Sequence, residues 1–423
     1  MPQPCHTYTR LLCVGERLRL SADAGFWVVA AALLVVMAVG TAPAALWPVY
    51  QATGGLSDTT IAVLAGAVVV GATVSFLLLG HLSDRYGRRR VLVPAVLTSA
   101  LSVVLMALVP TVPGLLAGRV LTGLALGIVA PTATAYLLDL HRAARPDSTG
   151  VVRATTVATA ANLGGLAVGP VLAGVLAEFL PAPLVLTFLV LAVLLVTAAV
   201  LLLACPETVG SPPVLARRAR FALRPGSATQ FWGAAVGGSV SFATSGALGA
   251  LGGVVLRNQL DVTSTLVWGA AIGLVHAASA LAQIAAATWP TRALFACGTV
   301  LLAGGLGLMT VALVDPMLWL WLAGCAVTGA ACGLLFKAAL LTSTLVAEPA
   351  ARAGVLAVYF SVAYLGMAGG GLILAVLRGY TGPVTALALL SALMVLLAVI
   401  GGLTAVRRTS DEEEAPHSVR AAP

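Results

Sequence analysis

Charged residues leave this chain for long stretches and return in short bursts, and no other feature of the sequence restricts its fold as tightly. Uncharged stretches run 24–57, 59–83, 91–118, 120–138, 154–177, 179–206, 225–256, 262–291, 293–314, 316–336, 353–377 and 379–406. There are twelve of them, each 19 to 34 residues long. An apolar helix needs about 20 residues to cross a hydrocarbon core. A membrane barrel would instead show strands of about 10 residues with alternating polarity. The run LVLTFLVLAVLLVTAAVLLLA at 184–204 does not alternate. The expected fold is therefore all-α and integral to a membrane, with twelve transmembrane helices.

Composition narrows the function. Charged residues are 9% of the chain and hydrophobic residues 60%, against about 25% charged in a typical soluble domain. So few charges cannot solvate the exterior of a globule, which excludes a soluble enzyme, a disordered chain and a nucleic-acid binder. The net charge of +8 fits arginine-rich loops beside anionic lipid. The six Cys and five His show no metal-ligand spacing and no catalytic cluster, so no metal, cofactor or enzyme activity is expected.

The arginines orient the chain. Nineteen of the 22 Arg lie in the N-terminal tail, after the even-numbered spans or in the C-terminal tail; Arg257 and Arg378 lie on the other side, and Arg119 falls inside a span. The positive-inside rule then places both termini in the cytoplasm of a cell inner membrane. The expected layout is a cytoplasmic tail (1–24), a six-helix bundle (25–204), a cytoplasmic linker (205–229), a second six-helix bundle (230–406) and a cytoplasmic tail (407–423). Trp47 and Tyr50 at the end of the first span, and Trp319 and Trp321 at the start of the tenth, are expected as interfacial anchors.

The bundles look like copies of one another. Residues 116–127 read LAGRVLTGLALG and residues 322–333 read LAGCAVTGAACG, with seven of twelve positions identical. These strings fall in the fourth and tenth spans. Both halves would start on the same side of the membrane, giving a parallel repeat about the membrane normal.

Three motifs carry a family resemblance. After the second span comes Gly80-His81-Leu82-Ser83-Asp84-Arg85-Tyr86-Gly87-Arg88-Arg89-Arg90, which resembles the loop signature G-x-L-x-D-R-x-G-R-R of the major facilitator superfamily. Arg119, Gly123 and Gly127 in the fourth span resemble that family's R-x-x-x-G-x-x-x-G element. Gly165, Gly169, Pro170 and Gly174 in the fifth resemble its antiporter string, with Ala173 replacing a glycine. Pro170 frees a backbone carbonyl, and the glycines form a flat face suited to packing against the other half.

The resemblance implies alternating access around a central cavity and a twelve-helix drug:proton antiporter. Its expected partners are a small-molecule substrate, protons and the lipid bilayer, with the protein acting as a monomer. It implies that Gly80, Asp84, Arg85, Gly87, Arg88 and Arg89 form a latch, with Asp84 facing the start of the eleventh span in the outward-open state. The expected function is efflux of an amphiphilic organic compound, as in multidrug resistance; import of a small organic solute is the alternative.

One part of the antiporter pattern is missing. No Asp or Glu lies deep in any span; Asp23 and Asp139 lie at span edges. Arg119, Lys337, His276, Gln283 and Asn162 are the candidate cavity or coupling residues. Arg119 and Lys337 either face the cavity or extend to an interface. His276 shares a helical stripe with Ser279 and Gln283, and either titrates or makes an interhelical hydrogen bond.

Overall fold

The computed structural model describes residues 20–79, 82–145, 152–209 and 221–406. Among these, twelve helices are long and apolar enough to cross a membrane: α1 Ala22–Ala45, α2 Asp58–Leu79, α3 Arg88–Leu108, α4 Val112–Ala144, α5 Val152–Phe179, α6 Pro183–Leu203, α7 Ala228–Gln259, α8 Thr265–Ala285, α9 Thr291–Val314, α10 Leu318–Val346, α11 Pro349–Tyr380 and α12 Pro383–Ala405. Local chemistry fixes several of the ends. Ser21, Ser57 and Ser264 accept backbone N–H groups in the first turns of α1, α2 and α8, satisfying donors that have no intrahelical partner. Pro183 and Pro383 open α6 and α12, where a missing N–H costs nothing.

α1 and α12 begin and end on one face of the bundle, called here the terminal face; the opposite face is the distal face. The parallel repeat is visible in how the halves pack. On α4, a Cβ at Gly118 would strike Met106 of α3, one at Gly123 the Val68 carbonyl of α2, and one at Gly127 Ser75 of α2. On α10, the same additions at Gly324, Gly329 and Gly333 would strike Met309 of α9 and the carbonyls of Val275 and Ser279 of α8. The identical residues of the two sequence strings thus make equivalent close crossings. α5 and α11 repeat the device: Gly165 and Gly169 sit over the Leu34 and Ala38 carbonyls of α1, and Gly366 and Gly370 over those of Ser239 and Ala243 of α7.

The packing refines two expectations. The string on α5 meets both halves: Gly165 and Gly169 meet α1 of its own half, while Gly174 meets Thr265 and Leu266 of α8, and Gly269 and Gly273 of α8 meet Pro170 and Val171. A small-residue stripe permits close approach, but the bundle decides what approaches. Trp47, Tyr50 and Trp321 are buried rather than interfacial, whereas Trp319 is exposed. After α1 tightens to a 3₁₀ turn at Ala42–Ala45, a short helix, Trp47–Gly54, folds under the distal end of α7, where Gly253 meets Pro48.

Candidate functional site

A cavity of about 1970 Å³ lies between the halves. It reaches the terminal face, where Asp84, Arg85, Leu138, Thr155, Ala350 and Ala353 line it. At the distal end the halves are joined. Arg378 Nε donates to Asp58 Oδ2 at 2.7 Å, Asn258 Nδ2 to Gln51 Oε1 at 3.1 Å, and Arg257 to the Pro48 carbonyl at 2.8 Å. Glu178, at the end of α5, accepts from Thr265 N at 2.7 Å, Thr265 Oγ1 at 2.8 Å and Ser264 Oγ at 3.2 Å. Its carboxylate thereby caps the N-terminus of α8, where a negative charge is favoured.

The residues of the Gly80–Arg90 loop signature make contacts mainly within their own half. Asp84 pairs with Arg88, one turn on, and its side chain is 53% exposed. Asp84 and residues at the start of α11, Ala350, Ala353 and Gly354, line the same cavity. Gly80 lies outside the described residues. Gly87 has φ +103° and no room for a side chain against Glu207, so glycine is required there. Glu207 accepts the backbone N–H groups of Arg88 at 2.8 Å and Arg89 at 3.1 Å, capping α3. Arg88 also reaches Asp139 at 3.2 Å. Arg89 donates to the Leu203 and Cys205 carbonyls at the end of α6, and Arg85 stacks on Tyr86.

Arg119 is 5% exposed and lines the cavity, so it does not extend to the interface. It donates to the Gly40 carbonyl of α1 at 3.0 Å and the Ala65 carbonyl of α2 at 3.1 Å. Both acceptors adjoin interruptions, the 3₁₀ turn of α1 and the break in α2 at Ala67. Arg119 Nε has no hydrogen-bond partner among the described residues. The carbonyl freed by Pro170 is also used: Thr41 of α1 donates to Leu166 O at 3.0 Å.

His276, Gln283 and Asn162 line the cavity, as does Ser279. His276 Nδ1 lies 3.0 Å from the Ile272 carbonyl. Lys337 is not among the described cavity-lining residues; its ammonium donates to the carbonyls of Gln283 at 2.8 Å and Ala286 at 2.9 Å. It caps the C-terminus of α8, a favourable place for a cation. Asp23 pairs with Arg145 at 2.9 Å, near the terminal face.

The largest feature that sequence reasoning missed is aromatic. Phe76 (α2), Phe360 and Tyr364 (α11), Phe242 (α7) and Phe336 (α10) all line the cavity. Their centroids close a ring: Phe76–Phe360 5.6 Å, Phe360–Phe336 6.3 Å, Phe336–Phe242 5.8 Å, Phe242–Tyr364 5.2 Å and Tyr364–Phe76 5.5 Å. Phe76 sits in a π-helical segment, Ser75–Leu79. Four helices contribute, so no periodicity within one helix announces the ring.

Comparison with known proteins fits this architecture. The family model for the Major Facilitator Superfamily matches residues 28–326, and the chain belongs to that superfamily, whose members are membrane transporters rather than enzymes. The puromycin resistance protein pur8 of Streptomyces alboniger is 32% identical over 156 residues, 37% of this chain and 30% of that protein. The arabinose-proton symporter of Bacillus subtilis (strain 168) is 31% identical over 84 residues, 20% of this chain and 18% of that protein. The chain thus spans less than a third of these relatives' length. A bacterial homologue of the human lysosomal transporter Spinster, solved in an inward-facing and unoccupied conformation, superimposes with a TM-score of 0.72 at 13% identity, covering 91% of this chain and 97% of that one; this similarity concerns the fold.

Proposed function

We propose that this protein exports a small amphiphilic organic compound by alternating access, in exchange for protons. The observation that carries the reading is the single-sided cavity: about 1970 Å³, open at the terminal face and closed at the other by side chains from both halves. On the arginine distribution the terminal face is cytoplasmic, both chain ends lie there, the membrane is the cell inner membrane, and this is the inward-open state of a monomer. In the outward-open state Asp84 would leave Arg88 for the start of α11. The wall is mostly apolar, which suits an amphiphile better than a sugar.

Export is favoured by the helix 5 string and by the similarity to a resistance protein. Uptake is the second reading, supported by the similarity to a proton symporter. With Lys337 capping α8 and Asp23 and Asp139 paired with arginines, His276 is the strongest candidate in the cavity for carrying the proton. Arg119 stays protonated and sets the local charge.

The test is transport by inside-out vesicles under an imposed proton gradient, with a panel of lipophilic compounds. Export predicts accumulation that collapses with the gradient. Accumulation only in right-side-out vesicles would favour uptake, and no response to the gradient at any pH would remove the antiport reading. His276→Gln should abolish substrate-driven proton release; an intact signal would return the role to Asp23 or Asp139.

A further inference from the structure

The cavity's charge and its aromatic ring point to the substrate's chemical class, an inference that rests on the cavity being the transport site. We propose that the preferred substrate is an aromatic weak acid or neutral compound, with its ring system against the wall formed by Phe76, Phe242, Phe336, Phe360 and Tyr364 and its acidic or electron-rich end toward Arg119; lipophilic cations are disfavoured.

The charges come first. Among the described lining residues, Asp84, Arg85 and Arg119 are the formally charged ones. Asp84 and Arg85 stand at the mouth, and Asp84 is already paired with Arg88. The membrane-embedded wall therefore holds one fixed positive charge and no negative one. Arg119 is 5% exposed and, among the described residues, has only backbone carbonyls as partners and keeps its Nε–H unpartnered. A buried cation without a counter-ion raises the potential of the space beside it. A cationic ligand entering there would lose hydration with nothing to replace it. An anion would supply the missing compensation.

The aromatic ring supplies the other end. Aromatic faces can also hold quaternary ammonium groups, in cages that surround empty space. Here the five centroids lie 5.2 to 6.3 Å from their neighbours, so the rings pack on one another. They form a wall for stacking rather than a cage for an ammonium. Along the bundle axis the wall is within reach of Arg119. Ala368 touches Gly66, next to the Ala65 carbonyl that Arg119 holds, and Tyr364 is one turn from Ala368. Phe76 lies eleven residues beyond Ala65. At 1.5 Å per residue the wall spans roughly 6 to 16 Å from the guanidinium level. A polycyclic body with a short acidic arm covers that distance.

The test uses three probes with one aromatic body: 1-pyrenebutyrate, its primary amide, and 1-pyrenebutyl-trimethylammonium. Binding to the full chain is read in zwitterionic-lipid nanodiscs as energy transfer from tryptophan to pyrene, with discs lacking the transporter subtracted. The butyrate is expected to bind at least tenfold more tightly than the ammonium, with the amide between them. Arg119→Gln should bring the butyrate to the affinity of the amide, and Phe360→Ala should weaken all three to a similar degree. The proposal is overturned if the ammonium binds as tightly as the butyrate, if the preference survives Arg119→Gln, or if none of the three binds. Should Arg119→Gln not fold, the probe order in wild type still decides, and Arg119→Lys is expected to keep that order. Binding needs no gradient, so failure of proton-driven export in vesicles would leave the probe order standing, and a wrong probe order would leave export untouched.

Discussion

Arg378 and Asp58, 320 positions apart in the chain, meet through Nε and Oδ2 at 2.7 Å and tie α11 to the first turn of α2. Asp58 also accepts from Gln51 at 2.8 Å, and Gln51 accepts from Asn258 of α7. The chain of bonds crosses between the halves twice. Their side chains are only 11% and 22% exposed, so the pair is less screened than an ordinary surface ion pair.

Asp58→Asn should therefore loosen the distal closure. Hydrogen bonds to charged groups contribute about 1.5–3 kcal/mol, which allows a population shift of roughly tenfold or more. Spin labels at Thr53 and Thr263, in a background without native cysteines, report the distal separation. A new long-distance component is expected; an unchanged distribution would show that the closure does not depend on this pair.

Thr41 and Pro170 should be coupled. Thr41→Val leaves the part-buried Leu166 carbonyl without its hydroxyl partner, at a cost of up to about 1–3 kcal/mol. With Pro170→Ala, residue 170 regains an N–H for that carbonyl, and Thr41→Val should then cost much less. Thermal unfolding of both single variants and the double variant gives the cycle. Additive losses would mean that the hydroxyl does not serve that carbonyl.

Gly169→Leu and Gly174→Leu should fail in different ways. A Leu at 169 drives against Ala38 within one half and should destabilise the fold by about 1–3 kcal/mol or more. A Leu at 174 drives against α8 of the other half. It should leave thermal stability nearer to wild type while opening the distal spin-label distances. Equal losses of stability in both variants would contradict the division.

Lys337→Met should lower stability without altering the pH profile of transport. A cation capping a helix C-terminus contributes about 0.3–1 kcal/mol, and up to ~2 kcal/mol when partly buried. Lys337→Arg should recover part of the loss. A displaced pH profile in either variant would return Lys337 to the coupling machinery.

The sequence makes the spans legible because twelve uncharged stretches have no other stable use. It also makes the close crossings of α4 and α10 legible, because the same glycines recur in both strings. What it hides depends on rotation about helix axes and on contacts between distant segments. Lys337 faces the end of α8 because of how α10 is turned, and one helix's polarity pattern cannot report that. Asp58, Gln51, Glu178, Asn258 and Arg378 look in sequence like ordinary residues at span edges. Only the assembled distal face reveals them as partners. Gly169 shows that something comes close, and the identity of that neighbour is settled by the packing of six helices.

On two of the seams where the halves touch, the tightest crossings fall at small residues. Gly66 lies against Ala368 where α2 meets α11, and Gly174, Gly269 and Gly273 lie where α5 meets α8. A crossing of small residues has no rotamers of its own to exchange as one half rocks on the other. At those crossings friction is set by the shape of the helices rather than by unlocking and relocking interdigitated chains. Volume, more than polarity, should then govern how fast this molecule turns over at those positions: a single methyl on either seam is a brake, while the chemistry that selects and drives the cargo stays untouched in the cavity below.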